Sequence, residues 1–296
     1  IDSELPVILE YDIEVGVHSE SRIQDLGAIA KAHNKNLGIH LKIDTGMGRL
    51  GIRPKAIKRI AQALRDHPLL ELRGVMSHFA SGAGNLDSFT EQQNMLFLAA
   101  IDELRYLLPG SNFTTHIANS AALFTDLKPL GDAVRPGIAM FGLLPQHLPQ
   151  SDLLPTLSIR TQIAFFKDVP ANTPVGYDST WTSYEQSRIA TIPIGYNDGV
   201  PYRLGLSGNS QVLVRGQRCP IIGKVSMDYC TIDVSHVKDA DIGDIVTIIG
   251  TDGHESITAQ DVAANAGTIT YEICCSIGSR VSRRYIDAKD CSTITL

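Results

Sequence analysis

In the first half of the chain, stretches that alternate apolar and polar residues follow stretches in which apolar residues recur every three or four positions. The first spacing is typical of half-buried strands and the second of amphipathic helices. Strands are predicted over 13–17, 38–44, 72–78, 113–117 and 133–135, and helices over 20–34, 55–66 and 88–107. Such alternation indicates βα units and a parallel sheet.

After about residue 150 the pattern changes to short runs rich in Val, Ile and Thr, separated by Gly and Asp turns. Such runs are typical of a mainly β region. They cover 156–168, 187–194, 210–215, 219–226, 229–234 and 244–250. The proline-containing stretch 144–155 is predicted to be a linker. We therefore predict two domains, an α/β domain over residues 1–148 and a β-rich domain over 149–296.

The composition bounds the class of protein. The 296 residues are 43% hydrophobic and 20% charged, as in globular proteins. A net charge of −6 argues against nucleic acid and anionic membranes as partners. Neither a bilayer-spanning apolar run nor a signal peptide is visible. The five cysteines lack CxxC spacing and no metal site is predicted, so we expect reduced thiols in a cytoplasmic protein.

A glycine-rich loop follows the strand predicted over 38–44. Gly46, Gly48 and Gly51 permit tight turns and a close approach of the backbone to a ligand. Arg49 stands in the same loop, and its planar fork of donors suits a carboxylate or phosphate. From these residues alone, an ordinary turn with a solvent-exposed arginine remains an equal alternative.

Eight separated segments resemble alanine racemases, which carry pyridoxal 5′-phosphate (PLP) on a (β/α)8 barrel followed by a β-rich domain. They are LKIDTGMGRLG (41–51), HIANSAA (116–122), VRPGIAMFG (134–142), VGYDSTW (175–181), TIPIGYNDG (191–199), IIGKVSMD (221–228), GTITYE (267–272) and RVSR (280–283). The segment that bears the family's PLP lysine has no counterpart in the sequence. The resemblance thus implies a partial (β/α)8 TIM-like barrel, with about five of eight strands present, before a mainly β domain.

In such barrels the functional residues lie at the carboxyl ends of the strands. His78 ends one predicted strand, Ser120 follows the next and Arg135 ends the last. A hydroxyl and free amides at a helix start bind anions, so Ser120, Gly137 and Ile138 are predicted to cradle the PLP phosphate. A plain helix cap for Ser120, a structural role for His78 and a carboxylate partner for Arg135 remain open alternatives.

The resemblance implies further PLP contacts. The residues concerned are His116, Asn119, Ser120, Arg135, Gly137, Ile138 and Tyr271, of which Arg135 faces the pyridine nitrogen. Because a guanidinium can only donate hydrogen bonds, Arg135 would leave that nitrogen unprotonated. We expect the resulting weaker electron sink to favour reprotonation at Cα over transamination.

The resemblance also implies how the proton is moved. Tyr177 is the base on one face of the substrate, with His78 beside it, and a lysine outside this chain is the base on the other face. A free tyrosine has a pKa of about 10, so this phenol needs a local perturbation to act at neutral pH. Asp178 stands where the family has Gly, which changes the loop that carries the tyrosine.

The substrate is expected to bind between residues of both domains. Arg49 and the backbone amide of Met227 meet its carboxylate, and Tyr196 lines the entrance; plain packing is the alternative for the last two. Lys42 matches a lysine that is often carbamylated in the family, and a carbamate would pair with Arg49. In the family one subunit's second domain completes its partner's site, so a homodimer is implied.

The implied activity is the interconversion of L- and D-alanine by PLP-dependent two-base proton transfer, which supplies D-alanine for peptidoglycan. Two alternatives stay open. One is a truncated or non-catalytic homologue that holds PLP non-covalently or not at all. The other is a serine or broad-specificity amino-acid racemase.

Overall fold

The computed structural model describes residues 4–81, 88–128, 131–145 and 153–286. The described residues up to Met140 form one compact unit and those from Phe141 onward form a second. We call them the N-terminal and C-terminal units. The predicted domain boundary at residues 148 and 149 lies outside the described residues.

The N-terminal unit contains a four-stranded parallel sheet whose strands lie in chain order. Its strands are β1 (Val15–Val17), β2 (Leu37–Lys42), β3 (Leu70–Met76) and β4 (Thr114–His116), and its helices are α1 (Leu5–Glu10), α2 (Glu20–His33), α3 (Ile57–Asp66) and α4 (Ser88–Leu107). Each pair of neighbouring strands is joined through a helix, as parallel pairing requires. The predicted class, a barrel-like α/β domain, is confirmed.

Side chains of β2 divide between the two faces of this sheet, because successive residues of a strand point to opposite sides. Ile39 and Leu41 are buried in a core that also contains Ile23 of α2. His40 and Lys42 alternate with them and are only partly buried. The face away from the helix core thus carries the polar groups of the strand.

The prediction of a fifth strand over 133–135 is wrong. The structure has irregular backbone there, and Gly131 forms only an isolated bridge with His116. The amides of Asp132 and Ala133 both donate to the carbonyl of Thr115, at 2.7 and 3.1 Å. Two consecutive amides that converge on one acceptor describe a loop rather than a ladder, since a strand alternates its bonds between residues.

The C-terminal unit is mainly β, as predicted. Seven strands lie in the order β14-β13-β10-β11-β12-β9-β6, an eighth, β5, pairs with β13, and β7 pairs with β8 apart from them. The strands are β5 (Ile159–Gln162), β6 (Phe165–Val169), β7 (Pro174–Val175), β8 (Trp181–Thr182), β9 (Ser187–Ile192), β10 (Gln211–Val214), β11 (Gln217–Ile222), β12 (Cys230–Asp233), β13 (Ile245–Asp252) and β14 (Glu255–Ile257); the helices are α5 (Ala259–Ala266) and α6 (Thr270–Ser276).

Local sequence explains the hairpin between β10 and β11. Its two turn residues, Arg215 and Gly216, both have positive φ, at 50° and 71°. Positive φ at both central positions gives the turn a twist that matches the strands it joins. Cys219 and Cys230 are free thiols in this unit, and burial raises the pKa of each to about 12. Within the described ranges, no helix has both the length and the apolar character to cross a membrane.

Candidate active site

The glycine-rich loop after β2 is closed by Asp44. Its Oδ1 accepts hydrogen bonds from the amides of Gly46 and Gly48, at 3.1 and 3.0 Å, and its own amide donates to the carbonyl of Ile52 at 2.9 Å. Gly51 has φ +134°, and a Cβ there would lie 2.6 Å from the amide nitrogen of Asp44. Only glycine fits this position, so the loop conformation is built into the sequence.

Two of the predicted cations lie at this loop. Arg49 is exposed on it, while Lys42 is partly buried at the end of β2. Burial, and then the charges of Arg135 and Arg49, lower the pKa of Lys42 to about 8, against the opposing effect of Asp44. Lys42 therefore lies in a region with an excess of positive charge.

Arg135 is held in place by several partners within the N-terminal unit. Its Nη1 donates to the carbonyl of His116 at 3.0 Å and contacts the Nδ1 of the same residue, and its Nη2 donates to the carbonyl of Ser77 at 2.7 Å. The Nη2 also lies 3.4 Å from the Nδ1 of His78. Burial lowers the pKa of Arg135. These partners are carbonyls and imidazoles rather than a carboxylate, so the guanidinium charge is not neutralised by them.

The two histidines beside Arg135 are neutral at physiological pH. Burial and the charges of Lys42, Arg135 and Arg49 lower the pKa of His78 to about 4. Burial and the charges of Arg135, His40 and Lys42 lower the pKa of His116 to about 4. Burial disfavours the charged form of both imidazoles, and a protonated ring would also add another cation to the group, so both pKa values fall. The arrangement suits an anionic ligand.

The backbone of His78 is also held by a residue of α4. The side chain of Gln93, which is fully buried, donates to the carbonyl of His78 at 3.1 Å and accepts from the amide of Ala80 at 2.9 Å. Gln93 was not among the residues singled out from the sequence. A buried polar residue within an amphipathic helix is the signal that would have found it.

Ser120 joins two loops of the N-terminal unit. Its buried hydroxyl accepts hydrogen bonds from the amides of Gly137 and Ala139, at 2.8 and 3.3 Å. The Ser120 hydroxyl thus bonds to amides of another loop, while in the turn that follows it in the chain Asn119 accepts from the amide of Ala122 at 3.1 Å. That turn is only the short 3-10 helix Ala122–Phe124.

There is space beside Gly137 for a ligand. A Cβ built there would have one neighbour within 4 Å, the Ser120 hydroxyl at 3.9 Å. Ile138 begins a 3-10 helix that ends at Phe141. Its amide is therefore one of the first-turn amides, which have no acceptor within the helix. The three predicted cradle residues thus lie together.

In the C-terminal unit Tyr177 begins a distorted turn at the surface. It follows Gly176, with φ 79°, and precedes Asp178, which takes the left-handed φ of 56° that a glycine would adopt freely. The carboxylate of Asp178 forms an ion pair with Lys224. The phenol is 69% exposed.

Tyr196 and Met227 lie on adjoining loops of the same unit. The amides of Tyr196 and Asn197 donate to the carbonyls of Ser226 and Met227, at 3.0 and 3.1 Å. Both side chains are about half exposed, at 44% and 53%. Tyr271 lies on α6, 40% exposed, and partial burial raises its pKa.

Asp198 and Arg280 form a brace for these loops that sequence reasoning missed. Asp198 is buried and accepts from the amide of Gly195 at 3.0 Å and from Arg280 at 2.9 Å. The same guanidinium donates to Asp228 at 2.7 Å. Both acidic residues lie in motifs that resemble the family. Their pairing with Arg280 was missed because Asp198 and Arg280 are 82 positions apart in the sequence.

Comparison with known proteins places the chain in a family. The family model "Alanine racemase, N-terminal domain" matches residues 2–145, and "Alanine racemase, C-terminal domain" matches residues 156–285. An alanine racemase of Halothermothrix orenii is 39% identical over 96% of this chain and 75% of the relative. The chain belongs to the alanine racemase family.

Solved structures of this family have the same fold. The alanine racemase of Bacillus anthracis with bound L-Ala-P superposes with a TM-score of 0.84 at 35% identity, over 96% of this chain and 73% of that one. The alanine racemase of Bartonella henselae with covalently bound pyridoxal phosphate has a TM-score of 0.84 at 29% identity, over 97% and 77%. The chain thus spans about three quarters of the length of these relatives.

Proposed function

We propose that this chain acts as an alanine racemase that interconverts L- and D-alanine with PLP. The observation that carries the proposal is the group formed by Lys42, Arg49 and Arg135 around the neutral imidazoles of His78 and His116. Such a group needs anions, and PLP and an amino acid bring a phosphate and a carboxylate.

The donor set fits PLP. The position that a Cβ at Gly137 would occupy is open and lies 3.9 Å from the hydroxyl of Ser120, which accepts from the amide of Gly137. The hydroxyl of Ser120, the amide of Ile138 and the open backbone at Gly137 would hold the phosphate. Arg135 would hold the pyridine nitrogen, and Tyr271 and Asn119 are further cofactor residues of the proposal. When bound, PLP withdraws electrons from the Cα–H bond of its amino acid.

Arg135 determines the protonation of the ring nitrogen. Its guanidinium has donors only, so it can offer a hydrogen bond to that nitrogen without giving up a proton. The carbonyls of Ser77 and His116 orient the fork, at 2.7 and 3.0 Å from its two terminal nitrogens. This residue therefore limits how far charge spreads into the ring, which favours return of a proton to Cα.

Tyr177 is the proposed base on one face, and Met227 and Tyr196 are the proposed substrate contacts from the same unit. Their residue exposures of 69%, 53% and 44% support a role toward a second copy of the chain, because all three residues lie at the surface of the unit. We propose a homodimer in which these residues complete the partner's site, next to that subunit's Arg49 and His78. The N-terminal unit would then be the PLP-binding domain.

Lys42 is the proposed carbamylation site. Its pKa of about 8 leaves more neutral amine near physiological pH than an ordinary lysine has. The neutral amine can add to carbon dioxide, forming a new N–C bond and releasing a proton. The product is an anion that would pair with Arg49 and offset the excess of positive charge.

The proposed setting is the cytoplasm, where D-alanine is supplied for peptidoglycan. The test is racemisation of L-alanine, followed by circular dichroism, with an intact-mass measurement and an absorbance scan for a PLP–lysine linkage on the same protein. D-Alanine formation with that linkage is expected of a protein that also carries the segment bearing the family's PLP lysine. A protein that binds no PLP would instead be a non-catalytic homologue, and faster turnover of L-serine would make it a serine racemase.

A further inference from the structure

Four side chains of the N-terminal unit form a continuous hydrogen-bonded line across the sheet. Glu14 Oε2 lies 2.6 Å from His40 Nε2, and His40 Nδ1 lies 2.9 Å from His116 Nε2. His116 Nδ1 in turn contacts Nη1 of Arg135. The two imidazole rings meet edge to face with their centroids 5.1 Å apart. Neither Glu14 nor His40 belongs to the motifs that predict the site.

The direction of every bond in this line follows from its two ends. Arg135 can only donate, so the Nδ1 of His116 accepts and its single proton is on Nε2. That proton is donated to Nδ1 of His40, whose own proton is therefore on Nε2. The carboxylate of Glu14, which can only accept, ends the line. Both histidines are consequently Nε2–H tautomers.

Gly74 allows the two histidines to meet. His40 is on β2 and His116 on β4, so their rings reach each other across β3, where Gly74 is the register partner of His40. A Cβ at Gly74 would lie 2.1 Å from Nδ1 of His40. A bulge between Ile39 and His40 in the pairing of β2 with β3 brings the glycine to this position.

We propose that Glu14, His40 and His116 form a positioning line that orients the guanidinium of Arg135 by fixing the tautomer of His116. With the other tautomer, an N–H of His116 would face an N–H of Arg135, and the guanidinium would be displaced. The inference rests on the proposed function, since it is the pyridine nitrogen of PLP that Arg135 would meet.

The first test compares two similar-sized replacements of His40. In His40→Asn the side-chain oxygen takes the place of Nδ1 and still accepts from His116, whereas His40→Leu offers no acceptor. Nitrogen-15 NMR of histidine-labelled protein is expected to show His116 as the Nε2–H tautomer in the wild type and in His40→Asn, and as a mixture in His40→Leu. This readout needs neither PLP nor activity.

Kinetics of the PLP-loaded protein provide a second readout. We expect His40→Leu to lower kcat by about ten- to a hundredfold, with less change in KM for alanine, because the changed tautomer of His116 would cost the bond between His116 and the charged Arg135. His40→Asn should lose no more than about threefold. Equal damage in both variants, or an unchanged His116 tautomer in His40→Leu, would overturn the proposal.

Two glycines flank His40 in the sheet and provide a matched pair. Gly74→Ala should act like His40→Leu, because the new methyl group would overlap the imidazole. Gly16→Ala is the control, since its Cβ would meet only the flexible end of Met76, at 3.2 Å. Equal effects of the two would count against the line. If the wild type neither binds PLP nor racemises alanine, the proposed function fails, while the NMR comparison still decides whether the line exists.

Discussion

The candidate residues of the two units differ in their contacts and in their exposure to solvent. In the N-terminal unit Arg135 contacts the imidazoles of His78 and His116, and the pKa of both histidines is lowered by this environment. In the C-terminal unit the side chains of Tyr177 and Met227 are more than half exposed. The fold of one unit brings its candidate residues into contact, and the other unit exposes its candidate residues at the surface.

Under the proposed function, this contrast assigns each unit a different contribution to proton transfer. A phenol that exchanges protons near neutral pH needs a neighbouring charge or hydrogen bond to favour its anion. The N-terminal unit has the excess of cations that could do this, at Lys42, Arg49 and Arg135. The C-terminal unit has the phenol, at Tyr177. The proposed homodimer brings these complementary properties together.

The largest expected effect on racemisation is that of replacing Tyr177, which is exposed at the surface. Tyr177→Phe removes the hydroxyl, and racemisation should fall by about a hundredfold or more, as for loss of a general base. The melting temperature and the Kd for PLP should stay near the wild-type values, because the side chain is 69% exposed.

Tyr184→Phe is the matched control, since Tyr184 lies in the same unit and is 95% exposed. It should leave racemisation unchanged. If Tyr177→Phe loses PLP binding as much as activity, the tyrosine is not the proposed base and the contrast between the units is not one of function.

Replacing Arg135 is predicted to lower the stability of the N-terminal unit as well as the activity. Arg135→Ala removes the donor to the carbonyl of Ser77 and one of the two donors to the carbonyl of His116, which keeps the amide of Ser77, so the free energy of unfolding should fall by about 1–3 kcal/mol. Urea denaturation without PLP measures this. Arg135→Lys keeps the charge and can satisfy one carbonyl, so its loss should be smaller. If Arg135→Ala unfolds at the same urea concentration as the wild type, the guanidinium of Arg135 does not stabilise these loops.

Sequence periodicity located the elements with strong patterns. The helix predicted over 88–107 is Ser88–Leu107, and the strand predicted over 38–44 is Leu37–Lys42. The pattern failed at 133–135, where the residue types suit a strand. Whether a strand forms there depends on backbone pairing, and the loop at Asp132 directs the amides to Thr115 instead.

The site was predicted in the same uneven way. Motifs pointed to Arg135 and His116, because both lie in segments similar to alanine racemases. His40 and Gly74 were missed because their roles depend on register. The bulge next to His40 sets which residue of β3 lies under its ring, and no local pattern in the sequence encodes it.

A third prediction concerns the brace in the C-terminal unit. Arg280→Ala removes the cationic partner of the buried carboxylate of Asp198 and should lower the free energy of unfolding. Because Asp198 also fixes the loop of Tyr196, KM for alanine should rise several-fold. The control is Arg218→Ala, whose ion pair with Glu255 is exposed on both sides and should be worth less than about 1 kcal/mol. Equal losses would mean that burial of Asp198 has no energetic consequence.

The smallest expected effect is the response of the N-terminal unit to acid. The pKa of His78 and of His116 is about 4 in the folded protein, and an unfolded histidine titrates near pH 6.5. As the pH falls through this interval, the unfolded chain binds protons that the folded protein does not bind, so stability decreases. His78 remains partly accessible to solvent, which limits its contribution to the order of 1 kcal/mol, whereas His116 is buried. The test is to measure the urea midpoint of unfolding between pH 7 and pH 4 for the wild type and for His116→Asn. The asparagine keeps an acceptor near Arg135 but cannot titrate. The variant should lose less stability on acidification than the wild type. Parallel curves for the two proteins would mean that acid acts on groups outside this site, and the electrostatic contrast between the units would then lose its basis.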